Sequence, residues 1–200
     1  LDVVDQNTIV IDGTGMHVTP GIVDEHSHIA ISRGVNESGQ ASSAEASIAT
    51  VVNSEDINIY RQLAGGVTSA QLLHGSANPI GGQSAVIKLK WGFMPEQMKY
   101  PAMPLFIKFA LGENVKQSNW GDHNTIRFPQ SRMGVEQVFY DHFIRAREYN
   151  AAWDAYNESL TKKRGAALPM PRVDLELEAL GEILRKERFI SCHSYVQSEI

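Results

Sequence analysis

Two histidines, one residue apart at the end of an apolar run, constrain this chain more than any other feature. The run Pro20–Val23 leads through two acidic residues to His26 and His28. Because side chains alternate faces along a strand, the two imidazoles project to the same side if this run is extended. A near-continuous apolar run is typical of a buried parallel strand, and ligands bind beyond the carboxyl ends of such strands. Zinc and similar cations bind neutral imidazole, so the pair predicts half of a metal site in an α/β protein.

The stretch Ile11–His28 resembles the entry to the catalytic barrel of the amidohydrolase superfamily. In that family a β-sandwich strand and a turn lead through Pro-Gly into the first barrel strand, which ends in His-x-His. The similarity is greatest to imidazolonepropionase-related and prolidase-like members. It implies an α/β fold with a (β/α)8 TIM-type barrel, an accessory β-sandwich and a metal-dependent hydrolase activity.

The length of the chain, compared with a whole barrel, predicts a fragment. A (β/α)8 barrel usually needs about 250 residues, and this chain has 200. We expect residues 1–20 to be a remnant of the accessory β-sandwich. Residues 21–200 would be the N-terminal half of the barrel, about strands one to five, with an insertion over residues 115–170 that shapes the specificity pocket.

The composition argues against two classes of binding partner. The net charge is −5 and no Lys/Arg stripe is present, which argues against a nucleic-acid partner. No apolar stretch approaches the roughly 18 residues of a membrane span, so we expect no membrane partner. The single cysteine, Cys192, excludes an internal disulfide and leaves the compartment undecided between cytoplasmic and periplasmic or secreted.

The hydrophobic pattern alternates between strand and helix signals. A hairpin is predicted over Thr8–Val18, and Ser54 is predicted to cap the first helix. Strands are predicted over residues 67–73, 84–90, 103–111 and 188–195, and helices over 55–64, 134–163 and 173–185. The intervening stretch 74–83, which contains Asn-Pro and Gly-Gly, is interpreted as a turn that lines the mouth of the site.

The strand near residue 107 carries a lysine. Alternation predicts that Phe106, Lys108 and Ala110 face the barrel lumen. Burial of a lysine lowers its pKa and makes the amine nucleophilic enough to take up carbon dioxide. In the superfamily a carboxylated lysine at this position bridges two metals, and the resemblance implies that role for Lys108. The alternative is a side chain that reaches outward to solvent.

Three further residues enter the predicted site. Glu113, just beyond the same strand, is the competing bridging ligand or a substrate-binding carboxylate. His193 resembles the metal-binding histidine that ends the fifth barrel strand. Tyr195 would contact substrate or act as a capping aromatic, and Cys192 would point outward into apolar packing.

The resemblance implies hydrolysis of an amide or another C–N bond in a dipeptide or cyclic amide. One or two divalent cations, with zinc as the first expectation, would be held by His26, His28, Lys108 and His193. The superfamily pattern also has a later histidine and a general-base aspartate, which we expect beyond Ile200. We therefore expect this chain to have no turnover alone.

Two alternatives stay open: a mononuclear-metal deaminase on the same scaffold, and a non-catalytic truncated half-barrel. A barrel cut after its fifth strand would expose two strand edges. We therefore expect the chain to form a homo-oligomer, most simply a dimer.

Overall fold

The computed structural model describes residues 7–121, 127–162 and 166–199. Parts of the predicted sandwich remnant (residues 1–6) and of the predicted insertion (residues 122–126 and 163–165) lie outside the described residues, as does Ile200. The elements in chain order are β1 (Ile22–Ser27), α1 (Ile57–Ala64), β2 (Val67–Leu72), β3 (Ile80–Gln83), β4 (Ala85–Lys88), α2 (Pro95–Met98), β5 (Leu105–Ala110), α3 (Arg132–Thr161), α4 (Leu175–Leu184) and β6 (Arg188–His193).

The strands form two three-stranded sheets in a mixed α/β arrangement. One sheet has the order β1-β2-β4 and the other β3-β5-β6. The pairs β1/β2 and β5/β6 are parallel, and each is joined by a connection that contains helix. The pairs β2/β4 and β3/β5 are antiparallel. The parallel pairs agree with the predicted βα rhythm, whereas a continuous parallel barrel wall is not present among the described strands.

The third predicted strand forms, but its direction is not the one expected of a barrel strand. Residues 84–90 were predicted as one strand following a turn, and the structure instead has β3 and β4 separated by Ser84 alone. A parallel neighbour needs a crossover of a dozen or more residues, whereas an antiparallel one does not. The connection from β2 to β4 has twelve residues, 73–84, but four of them form β3 in the other sheet, and β4 returns antiparallel to β2 with Ala70 opposite Ile87.

The prediction of a hairpin over Thr8–Val18 is wrong, because its two strands do not form. A turn is present, in which the Met16 N–H donates to the Gly13 carbonyl over 2.9 Å, but the described residues before β1 contain no strand. The apolar side chains of this segment are exposed, so nothing in the structure supplies the cross-strand contacts that stabilise a hairpin.

The helices form close to their predicted positions. Asp56, rather than Ser54, caps α1 by accepting a hydrogen bond from the Asn58 N–H. Asp56 also accepts from the Ala30 N–H over 2.7 Å, so this cap joins α1 to the chain after β1. Gly65 ends the helix, and Gly66 has φ +90°, a conformation that glycine adopts without strain.

Each sheet has its own hydrophobic core. The first core joins α1 to β2 and β4 through Ile59, Leu72 and Ile87. The second joins β5 to α3 and α4; its central ring, Phe109, lies 5.5 Å and 6.1 Å from two phenylalanine rings of α3. Phe109 therefore faces the helices, as alternation predicted. Cys192 does not pack as predicted: it is exposed.

No helix among the described residues has the length and apolar character needed to cross a membrane.

Candidate functional site

The two histidines of the opening motif lie where β1 ends. His26 belongs to β1 and His28 follows it directly. Their rings meet edge to face, 5.3 Å apart at 81°, while Ser27 between them is buried on the opposite face. The His28 Nδ1 lies 2.9 Å from the Leu73 carbonyl. If Nδ1 carries the proton and donates it to this carbonyl, Nε2 keeps its lone pair for a ligand.

Lys108 of β5 reaches this histidine pair from the other sheet. Its Nζ lies 3.1 Å from the His26 Nε2, and the residue is only 1% exposed. The alternative of a lysine reaching out to solvent is therefore wrong. Burial lowers the pKa of Lys108 below its ordinary value, because an ammonium ion is poorly solvated there.

His193 ends β6, which pairs parallel with β5 so that Ala110 is its register partner. It therefore lies two rungs beyond Lys108 at the same ends of the strands. Its Nε2 is buried and has no hydrogen-bond partner among the described residues. A buried imidazole nitrogen without a partner is costly, which makes this atom a candidate ligand atom.

The four nitrogen-bearing side chains lie within one electrostatic neighbourhood. Burial is the largest cause that lowers the pKa of His26, followed by Lys108, His28 and His193. Burial also lowers the pKa of His193, again followed by Lys108 and His28. Like charges disfavour one another's protonation, and the neutral imidazoles that result are the form that binds metal cations.

Glu113 forms other contacts. Its carboxylate pairs with Lys116 over 2.6 Å, and its backbone N–H donates to the Tyr195 hydroxyl over 3.0 Å. That hydroxyl donates in turn to the Asn114 side chain over 3.1 Å. Gly112 beneath the ring has φ +77°, and an added Cβ would lie 3.1 Å from the Tyr195 ring. Tyr195 thus caps the turn after β5, and its ring meets His193 edge to face at 5.5 Å.

The donor set fits a divalent cation in its chemistry. The residues brought together are three imidazoles and a lysine; the pKa values of His26, His193 and Lys108 are lowered by burial, and the His193 ring has one orphaned nitrogen. Across residues 7–121, 127–162 and 166–199, no group of three His, Cys, Asp or Glu side chains could hold a metal ion. The histidines alone therefore do not complete a site, and Lys108 is the further nitrogen group that lies within 3.1 Å of the pair.

His74 is a buried site neighbour whose structural role the turn interpretation missed. It is 2% exposed, and its Nε2 accepts a hydrogen bond from the Glu37 N–H over 2.7 Å. Its Nδ1 lies 2.9 Å from the Gly75 carbonyl, which assigns the proton to Nδ1. Burial lowers the pKa of His74. Cβ atoms at Gly81 and Gly82 would lie 2.9 Å and 3.0 Å from this ring. The glycine pair in the sequence was therefore the signal that a side chain packs closely against this stretch.

Gln71 is a second residue that the sequence analysis missed. Its Nε2 donates to the Ser191 hydroxyl over 3.1 Å and so joins β2 of one sheet to β6 of the other. The signal was a glutamine at the buried end of the strand, directly before Leu72 and Leu73, since buried polar side chains usually have a specific partner.

This geometry defines the class of protein. It is a mixed α/β protein in which histidines and a buried lysine meet at the ends of strands. Comparison with known proteins agrees. The chain is 30% identical, over 218 aligned positions, to "Amidohydrolase tasK" of Hapsidospora irregularis, covering 98% of this chain and 22% of that protein. A crystal structure of an amidohydrolase from Thermotoga maritima MSB8 matches with a TM-score of 0.84 and 29% identity, covering 99% of this chain and 51% of that one.

The chain is related to the amidohydrolase superfamily, as the opening motif predicted. It spans about a fifth of the length of the first relative and about half of the second. No protein-family model matches the sequence.

Proposed function

We propose that this chain contributes one wall of the active site of a metal-dependent hydrolase of amide or other C–N bonds. The observation that carries the proposal is the 3.1 Å approach of the buried Lys108 amine to the His26 imidazole, across two sheets. The relationship to amidohydrolases supports the reaction class. A dipeptide or a cyclic amide is the substrate class that the resemblance implies.

His26, His28, Lys108 and His193 are the residues that would hold one or two divalent cations, zinc first among them. Such a cation lowers the pKa of bound water and polarises a carbonyl group. Within this proposal the chain completes a TIM-type barrel with further strands, since barrel enzymes place their sites at the carboxyl ends of strands.

The protein residues have distinct parts in this proposal. The Leu73 carbonyl orients His28 and selects its tautomer. Burial holds Lys108 towards its neutral, nucleophilic form, which supports the carboxylation that the resemblance implies. Glu113 is the weaker candidate for bridging because its carboxylate pairs with Lys116. Tyr195, held over the turn after β5, would border the substrate.

Metal binding to the purified chain tests the proposal. We expect isothermal titration calorimetry with zinc or cobalt to show binding that weakens by more than about tenfold in His26→Ala and His193→Ala, because removing even an outer-shell partner of a metal ligand costs roughly that much. His17→Asn is the matched control, since His17 is exposed and lies outside the site. Equal affinities in all four proteins would rule out this site.

Carboxylation of Lys108 has a separate readout. After addition of ¹³C-labelled bicarbonate, ¹³C NMR should show a carbamate signal in the wild type and none in Lys108→Met. Metal binding at one ion per chain without a carbamate signal would favour the mononuclear deaminase alternative over the bridged site.

A further inference from the structure

A groove of about 850 Å³ lies along α3, away from the candidate metal ligands. Its lining is mainly apolar and includes Phe139 and Phe143 of α3, Leu111 after β5 and Leu184 at the end of α4. Arg132 at one end is already paired with Glu199 over 2.6 Å. The groove is therefore a mainly apolar surface beside a long helix, with one ion pair in its lining.

One stripe of α3 borders this groove and is poorly covered. Met133, Tyr140 and Ile144 are 78%, 59% and 43% exposed and line the groove together. Spacings of three, four and seven residues bring side chains to one face of a helix. Exposed apolar side chains that are contiguous, rather than scattered, mark interaction surfaces.

Two opposite charges flank the stripe on the same helix face. Glu136 lies four residues before Tyr140, and Arg147 lies three residues after Ile144; both line the groove. Neither forms an ion pair with another residue of the described chain. At 1.5 Å rise per residue, they stand about 9 Å and 8 Å from the midpoint between the two apolar residues.

We propose that the groove receives α3 of a second copy of this chain, in an antiparallel contact about a two-fold axis. An axis between Tyr140 and Ile144 would bring the Tyr140 of each copy against the Ile144 of the other. Glu136 and Arg147 lie at nearly equal distances from this axis, on opposite sides of it. Each Glu136 would therefore lie opposite the Arg147 of the other copy, which gives two pairs of opposite charges. A two-fold contact uses one patch on both partners, and this patch carries both charges needed for self-complementarity.

The dimensions of the helix suit such a contact. The 30 residues of α3 extend about 45 Å, a length on which helix and groove walls can together bury the roughly 800 Å² per partner of a standard interface. The apolar centre with charges at its edges has the arrangement of a specific interface, in which rim charges select the partner.

Sedimentation equilibrium over a range of micromolar concentrations tests the apolar centre. We expect the wild type to dimerise and Ile144→Asp to be monomeric at the same concentrations, because each dimer would bury two carboxylates. Circular dichroism should show the same helix content and thermal midpoint for the variant monomer as for the wild type below its dimer dissociation constant. A wild-type chain that stays monomeric throughout overturns the proposal.

Charge exchange tests the geometry. Glu136→Arg and Arg147→Glu should each raise the dimer dissociation constant about tenfold, since each places like charges opposite one another twice. An equimolar mixture of these two variants should recover the wild-type value, because opposite charges then meet only in the heterodimer. Asp154→Arg, at an exposed position of α3 that does not line the groove, is the matched control. A dimer insensitive to both single variants, or a mixture without recovery, would show that another surface pairs and would overturn the proposal.

Discussion

Two histidine environments in this molecule are opposite in character. At the strand ends, His26 has Lys108 and two more imidazoles as neighbours, and its pKa is lowered. Between α3 and α4, burial lowers the pKa of His142, but hydrogen bonds to Glu176 and to the Val138 carbonyl outweigh it and raise that pKa overall. The helix seam thus carries a matched charge pair, whereas the strand ends gather groups that disfavour one another's protonation.

The difference suits two purposes: the contact between α3 and α4 stabilises the fold, and the strand ends have the character of a functional site. The seam is complete within the described chain: the His142 Nε2 lies 3.1 Å from a Glu176 oxygen, and its Nδ1 lies 2.7 Å from the Val138 carbonyl. The strand ends contain a buried lysine and an orphaned histidine nitrogen. Groups placed at a cost to folding stability are typical of functional sites.

The largest effect in this comparison should come from Lys108→Met. Without metal, replacing a buried amine by an apolar side chain of similar length should raise the free energy of unfolding by about 1–2 kcal/mol, while metal binding is lost. Urea unfolding in the presence of a chelator measures it, and the exposed Lys88→Met is the control, expected to change stability by less than about 0.5 kcal/mol. A destabilised Lys108→Met would mean that the amine contributes to folding.

Glu176→Gln should have the opposite sign and a smaller effect. The raised pKa of His142 stabilises the fold below its unfolded value of about 6.5 and loses that contribution as pH rises through the folded value. The lowered pKa of Glu176 stabilises above about pH 4.3 and loses that contribution as pH falls.

The pair therefore stabilises most between about pH 4.3 and 6.5. Glu176→Gln should cost about 1 kcal/mol at pH 5.5 and less at pH 8, as measured by urea unfolding at both pH values. Glu158→Gln, which removes an exposed pair with Lys162, is the control and should change little at either pH. A loss of stability that is the same at both pH values would contradict the pairing.

The smallest effect is a difference between titration midpoints. In NMR titrations of the metal-free chain, His142 should titrate above about 6.5, and His26 and His193 below it. If His142 and His26 titrated together, the two environments would not differ as described.

The sequence was most informative where one local pattern coincided with the final burial. The alternation in β5 predicted that Phe109 faces the helices and that Lys108 is on the opposite side. The amphipathic pattern predicted α3 to within two residues at each end, because a long helical stripe depends little on details elsewhere.

Long-range contacts explain what the sequence did not predict. Ser54 and Asp56 are both acceptable caps, and Asp56 is the observed cap while its other oxygen binds the Ala30 N–H. The Gly81–Gly82 pair has a turn signature, yet it is in β3 because the His74 ring needs room beside the strand. The carboxylate partner of His142 lies on another helix, beyond the reach of any local pattern.

The single residue between β3 and β4 has a consequence for protein engineering. Because Ser84 alone carries the chain from one sheet to the other, there is almost no slack between β3, which pairs with the strand of Lys108, and β4, which belongs to the sheet of the histidine pair. Inserting one residue there would reverse which side chains of the following strand point inward, since strand faces alternate with a period of two. An insertion of two residues would keep the alternation but lengthen the connection between the two sheets. The spacing of the two halves of the candidate site is thus encoded in chain length as well as in side-chain chemistry.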